Sequence, residues 1–107
     1  MPAYALFDNL EVRDPEAMKH YVDCVHAIVE QFGGRYLVVG GEIRSLEGEP
    51  GLTYPVLIEF PDLATAQAWY DSDVYAPLKR MRHDASRSTA VLIESAQSSQ
   101  LDATPRA

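Results

Sequence analysis

Apolar side chains recur along this chain with two different periods, and the switches between them mark out six elements. Residues 3–12 read as a strand, Ala-Tyr-Ala-Leu-Phe-Asp-Asn-Leu-Glu-Val. Asp14-Pro15 then opens a helix: Asp14 can cap an orphan N–H, and Pro15 suits the first helical position. Its apolar stripe is Met18, Tyr21, Val22, Val25, Ile28, Val29 and Phe32, and Gly33-Gly34 stops it. Arg35 to Val39 is a second strand. The following Gly40-Gly41 reads as a bulge or bend, with the element continuing into the more polar residues 42–46. Residues 47–53 hold Gly48, Pro50 and Gly51 and form a loop. Tyr54 to Phe60 is a third strand. Pro61-Asp62 caps a second helix carrying Leu63, Ala66, Trp69 and Tyr70, and Ser72 looks like a fresh N-cap that breaks it. The stripe resumes through Val74, Leu78, Met81 and Ala85, and Ser88 to Glu94 is the last strand. Residues 95–107, rich in Ser, Gln, Thr, Pro and Ala, read as a disordered tail after a single domain over residues 1–94.

The order strand, helix, strand, strand, helix, strand predicts an α+β fold of the ferredoxin-like βαββαβ type, with both helices on one face of a four-stranded antiparallel sheet. Side-chain parity adds a second expectation. Val56, Ile58 and Phe60 share one face of their strand, with Leu57 and Glu59 on the other. Val91 and Ile93 oppose Ala90 and Leu92, Leu6 opposes Ala5 and Phe7, and Tyr36 and Val38 oppose Leu37 and Val39. A sheet with one wet face should alternate apolar and polar, and this one is apolar on both. Two helices bury one side only. Leaving even a few hundred Å² of the other wet forgoes several kcal/mol at roughly 25 cal/mol per Å². A second copy of the sheet is the simplest cover, so a homodimer is expected.

Charge narrows the partners. The 107 residues carry 9 basic and 16 acidic side chains, a net charge of −7. That balance disfavours nucleic acid and anionic membrane surfaces as partners. The N-terminus lacks a signal-peptide pattern, and no apolar run approaches the roughly 20 residues of a membrane span, so a cytoplasmic protein is expected. The single cysteine, Cys24, lies between His20 and His26 and sits in no known nucleophile motif. None of His20, His26 and His83 makes a metal-ligand spacing with a second His or Cys, so neither a metal nor another cofactor is expected. Pro2 follows Met1, as an N-terminal proline base would, but that dipeptide is common.

The candidate chemistry lies in polar residues on apolar ground. Asp8, Asn9 and Glu59 interrupt the two central strands and are expected to approach one another. Glu59 points away from the helices, where it is either an acid or base or a cross-strand hydrogen-bond partner. Lys79, Arg80, Arg82, His83 and Arg87 form a basic cluster in an acidic chain. They satisfy the end of the helix dipole, or, for Arg82 at the edge of the apolar stripe, capture an anionic group. Arg35, just after Gly33-Gly34, either binds a ligand or ties the helix end down. Trp69 and Tyr70 are adjacent, so one fills the core and the other can wall a cleft.

Over residues 3–94 the chain resembles the bacterial family of domain of unknown function 1330. The matching pieces are Asp14-Pro15, Tyr21, Gly33-Gly34-Arg35, Gly40-Gly41, Leu46-Glu47-Gly48 and Glu59-Phe60-Pro61. In the second helix they are Ala66, Ala68, Trp69-Tyr70-Asp71-Ser72, Tyr75, Lys79 and Arg82, while His83, Asp84 and Arg87 depart from the usual small residues. The resemblance implies a dimeric α+β barrel and no established activity. The wider superfamily includes monooxygenases without metal or flavin, muconolactone isomerases and haem-degrading enzymes, and this chain lacks a clear haem-ligand His on the expected cleft face.

Two functional readings follow. One is an enzyme acting on a small anionic or enolisable organic substrate, by isomerisation or cofactor-independent monooxygenation. In it Arg35 and Arg82 hold the anion, Glu59 is the acid or base, and Trp69 or Tyr70 walls the cleft. The other is a ligand-binding or structural dimer without catalysis.

Overall fold

The computed structural model describes residues 1–49 and 51–96. The expected tail of residues 95–107 lies outside them from residue 97 on. Four strands, β1 (Ala3–Val12), β2 (Arg35–Val39), β3 (Pro55–Phe60) and β4 (Ser86–Glu94), and three helices, α1 (Pro15–Gln31), α2 (Leu63–Tyr70) and α3 (Ala76–Ala85), follow in the order β1-α1-β2-β3-α2-α3-β4. The sheet is antiparallel in the order β2-β3-β1-β4, the expected ferredoxin-like arrangement. No helix among the described residues is long and apolar enough to cross a membrane.

The helix boundaries follow from local chemistry. The Asp14 side chain accepts from the Ala17 N–H at 3.1 Å, with Pro15 opening α1. Gly33, at φ +76°, closes it with N–H bonds from Gly33 and Gly34 back to Glu30 and Val29. Ser72 separates α2 from α3: its hydroxyl donates to the Trp69 carbonyl at 2.8 Å and accepts from the Tyr75 N–H at 3.1 Å. That interruption lets Trp69 and Tyr75 both turn inward, their ring centroids 4.4 Å apart. With Phe60 and Val29 they are the largest fully buried side chains.

All three helices lie on the face carrying Ala3, Ala5, Phe7, Ile58 and Phe60, which is buried. The opposite face keeps Leu37, Val38, Val91 and Ile93 about half exposed, so it is apolar and uncovered within one chain. The helices do not cover their own face evenly. α2 packs on β1, β3 and β4, whereas α1 leans on α3 and stands off the sheet between Met18 and His26.

Three expectations are corrected. First, β2 ends at Val39 and does not run on through Gly40-Gly41. Both glycines have positive φ, +64° and +106°, which turns the chain away from the ladder. Gly40 also lies under the Tyr54 ring, where a Cβ would come within 2.5 Å of it. Second, a bulge at Leu37 shifts the register between Tyr36 and Val38. Tyr36 therefore shares the helix face with Val39, opposite Ile58 and Val56, while Val38 joins Leu57 on the open face. Third, Asp8 and Glu59 do not approach each other. Tyr4 pairs with Glu59 and Asp8 with Pro55, so the two carboxylates sit about 13 Å apart along the strands at roughly 3.3 Å per residue.

The Gly40 geometry makes a measurable demand. Gly40→Ala is expected to lose about 1–3 kcal/mol in urea unfolding, from left-handed strain and displacement of Tyr54. Gly41→Ala, with nothing within 4 Å of the added methyl, should lose less.

Candidate functional site: a cavity under α1

Where α1 stands off the sheet it leaves a cavity of about 330 Å³. Met18, Tyr21, Val22, Val25 and His26 line it from α1; Tyr36, Val39, Tyr54, Val56 and Ile58 from β2, β3 and the turn before β3; and Phe7, Asn9 and Val12 from β1. Arg82 reaches it from α3. This explains Val22, which belongs to the α1 stripe yet is 58% exposed: it faces the mouth and not the core.

Arg82 is the outlier of the lining. It lies one turn after Leu78 on the inward face of α3, and its residue is only 3% exposed. The Phe7 ring lies 4.9 Å beneath the guanidinium carbon. Nη1 donates to Ser88 Oγ at 2.7 Å, Nη2 lies 3.2 Å from His83 Nε2, and Nε has no partner. No carboxylate comes within ion-pair distance of it among the described residues, and the lining holds no Asp or Glu. Arginine does not discharge in proteins, so the buried group keeps its positive charge.

Hydroxyls gather around that charge. The Tyr21 and Tyr75 oxygens are 2.7 Å apart in the interior. Burial, then the neighbouring Tyr75, pushes the Tyr21 phenol far above its ordinary range. Burial, and again Tyr75, pushes Tyr36 up to about 12. Both phenols therefore stay protonated and can donate. Burial, then Arg82 and Lys79, holds His83 below its ordinary value, which favours the neutral ring that can accept from Arg82. The Asn9 side-chain oxygen is buried without a partner at the same wall. At the rim, the His26 ring meets Tyr36 edge-on at 4.6 Å, and its Nε2 lies 3.1 Å from Glu30.

Asp8 fixes the remaining wall. Its carboxylate, on a residue 3% exposed, accepts from the Thr53 N–H at 2.9 and 3.0 Å and from the Tyr54 N–H at 2.7 Å. The Asn9 N–H donates to the Tyr54 carbonyl at 3.1 Å. The polar interruption of β1 thus seats Tyr54 over Gly40 and against the cavity.

The residues singled out in the sequence are divided by the structure. Arg82 is in the cavity. Trp69 is fully buried between Phe7, Phe60 and Tyr75 and lines neither the cavity nor the smaller depression beside β4. Tyr70 borders a smaller depression of about 180 Å³ beside β4, with Lys79 4.2 Å above its ring. Glu59 and Arg35 lie on the other side of the sheet: Arg35 Nε donates to Glu59 Oε1 at 2.7 Å, and the Tyr4 hydroxyl donates to Glu59 Oε2 at 3.2 Å. A single cleft shared by Arg35, Arg82 and Glu59 therefore does not form. The sequence reading missed Tyr36, Tyr54, Tyr75 and His26. Tyr21 was visible only as one more member of an apolar stripe.

The raised phenols set an alkaline limit. The fold holds protons that the unfolded chain releases above pH about 10, so stability should fall from there toward pH about 12. In a spectrophotometric titration, part of the absorbance of the six tyrosines should appear only together with loss of structure. A full tyrosinate signal from folded protein would contradict this burial.

Comparison with known proteins agrees on the fold. No curated protein matches the chain. Among solved structures, the protein of unknown function RPA0582 from Rhodopseudomonas palustris superposes with a TM-score of 0.68 at 17% identity, over 90% of this chain and 83% of that one. A dimeric ferredoxin-like protein of unknown function from Jannaschia sp. CCS1 does so with a TM-score of 0.58 at 20% identity, over 89% and 100%. A dimeric protein of unknown function and ferredoxin-like fold from Bacteroides fragilis NCTC 9343 gives 0.50 at 12% identity, over 88% and 96%. The model of the family described as Domain of unknown function (DUF1330) matches residues 2–96, and the chain belongs to that family.

Proposed function

We propose that this protein is a homodimer that binds one small organic anion per protomer in the cavity under α1. The observation that carries the reading is Arg82: a buried guanidinium with no carboxylate partner among the described residues, on the wall of a cavity of ligand size. A buried charge is costly unless it is paired. Here the missing negative charge is supplied by the ligand, and the aliphatic and aromatic lining takes its apolar body. A cytoplasmic location, expected from the sequence, belongs to the same proposal.

The second copy covers the open face. Two structural neighbours described as dimeric support this, as do the half-exposed Leu37, Val38, Val91 and Ile93. Arg35, Glu59 and Tyr4 then lie beneath the partner, already bonded to one another, so they serve the contact and not the cavity. With Glu59 turned away, the proposal assigns ligand binding and leaves turnover outside it.

Thermal unfolding against small aromatic anions such as benzoate and 4-nitrophenolate tests the cavity. A ligand at about a hundred times its Kd adds about 2.7 kcal/mol, a rise of several °C for a domain this size. Arg82→Met should abolish the rise. No shift with any such anion, or an equal shift in Arg82→Met, contradicts the reading. Light scattering after size exclusion should give twice the chain mass of 11.9 kDa at micromolar concentration, and a monomer removes the dimer.

A further inference from the structure

The donors at the charged end of the cavity come from separate elements and suit a single oxygen. A carboxylate is best met by two parallel N–H groups of the guanidinium fork. In Arg82 one N–H of each terminal nitrogen is already engaged, Nη1 on Ser88 and Nη2 against His83. Nε is the guanidinium nitrogen without a partner. Beside it stand phenol hydroxyls: Tyr21, bonded to Tyr75 at 2.7 Å, and Tyr36 on the facing wall. One N–H and the phenol O–H groups, offered to the same cavity from different elements, suit the lone pairs of a single oxyanion.

The rest of the space suits a ring. A cavity of about 150 Å³ can hold benzene, so 330 Å³ accommodates a substituted or fused ring. Phe7, Tyr36 and Tyr54 offer aromatic surface around it, and Val25 and Ile58 offer aliphatic surface. Protonated phenols next to a fixed cation are complementary to an ionised oxygen and not to a neutral one, because only the anion gains from both.

Resting on the anion-binding reading above, we propose that the cavity selects phenols and enols, planar compounds with one ionisable hydroxyl, and binds them as the oxyanion against Arg82 and Tyr21. Binding then lowers the pH at which the guest hydroxyl ionises. The guest's O–H bond breaks with its electron pair left on the oxygen, the proton leaves to solvent, and no other covalent bond changes.

4-Nitrophenol is the probe, because its anion absorbs visibly, and 4-nitrobenzoate is its carboxylate counterpart. Full-length protein is titrated with each between about pH 5 and pH 8, a range that spans ionisation of the phenol. The proposal expects the bound phenol to ionise about one unit or more below the free one, a tenfold preference for the anion. It expects 4-nitrobenzoate to bind at least about tenfold more weakly. Tyr21→Phe, whose folding is checked by thermal unfolding, should weaken phenolate binding about tenfold and move the ionisation of the bound phenol back toward its free value. Ionisation of the bound phenol at its free value overturns the inference. So does equal or tighter binding of 4-nitrobenzoate, an outcome that leaves the anion-binding reading standing. Binding of neither probe overturns both.

Discussion

The guanidinium of Arg82 rests on the Phe7 ring inside the domain, and its environment supplies hydroxyls and an imidazole but no carboxylate. Desolvating a cation without a counter-charge costs several kcal/mol even after relaxation. Only a partial return comes from Ser88, from His83 and from the face of Phe7, since a cation–π contact contributes about 2 kcal/mol when desolvated. Much of the architecture serves to put this group where it is. Ser72 breaks the second helical segment, α3 restarts after Tyr75, and the new phase of α3 turns Leu78, Arg82 and Ala85 inward together. The bulge at Leu37 turns Tyr36 toward the same space. Asp8 seats Tyr54 at its wall.

The sheet separates two kinds of polar group. On the open face Arg35, Glu59 and Tyr4 satisfy one another. On the helix face Arg82, Asn9 and Trp69 each keep an unpartnered polar atom, and the first two of these residues line the cavity. Groups that are already paired tolerate being covered by another subunit, whereas groups with unmet donors and acceptors call for a guest. In the proposed reading the same strands carry an association surface on one side and a receptor on the other, kept apart by side-chain alternation along β3 and along β1 as far as Asn9, where a bulge brings Val12 to the cavity wall.

Much of the fold was legible because caps and parity are local. Asp14, Gly33 and the double apolar face of β1, β3 and β4 each predicted what formed, and Ser72 marked the break, although α3 itself starts after Tyr75 and not after Ser72. The errors lie where one residue changes the phase. A bulge at Leu37 inverts the face of Val38 and Val39 and leaves no mark in a run of apolar residues. The site was legible only in Arg82. That α1 stands off the sheet is a tertiary fact, and it alone turns Tyr21, Tyr36 and His26 from stripe and surface residues into a lining. Trp69 and Tyr70 could not be told apart without the break after them, which sends Trp69 into the core. Glu59 faced the expected way, but its partners Arg35 and Tyr4 became evident only with the strand register.

If Arg82 is held for a ligand, the empty protein bears the cost of its burial. Chemical unfolding of Arg82→Met without ligand measures that directly, because Met fills comparable space with no charge. The account predicts a stability within about 1 kcal/mol of the parent, or above it, as when buried ionic groups give way to apolar ones of similar volume. A loss of about 3 kcal/mol or more would contradict it, since the guanidinium would then be part of what holds the fold together.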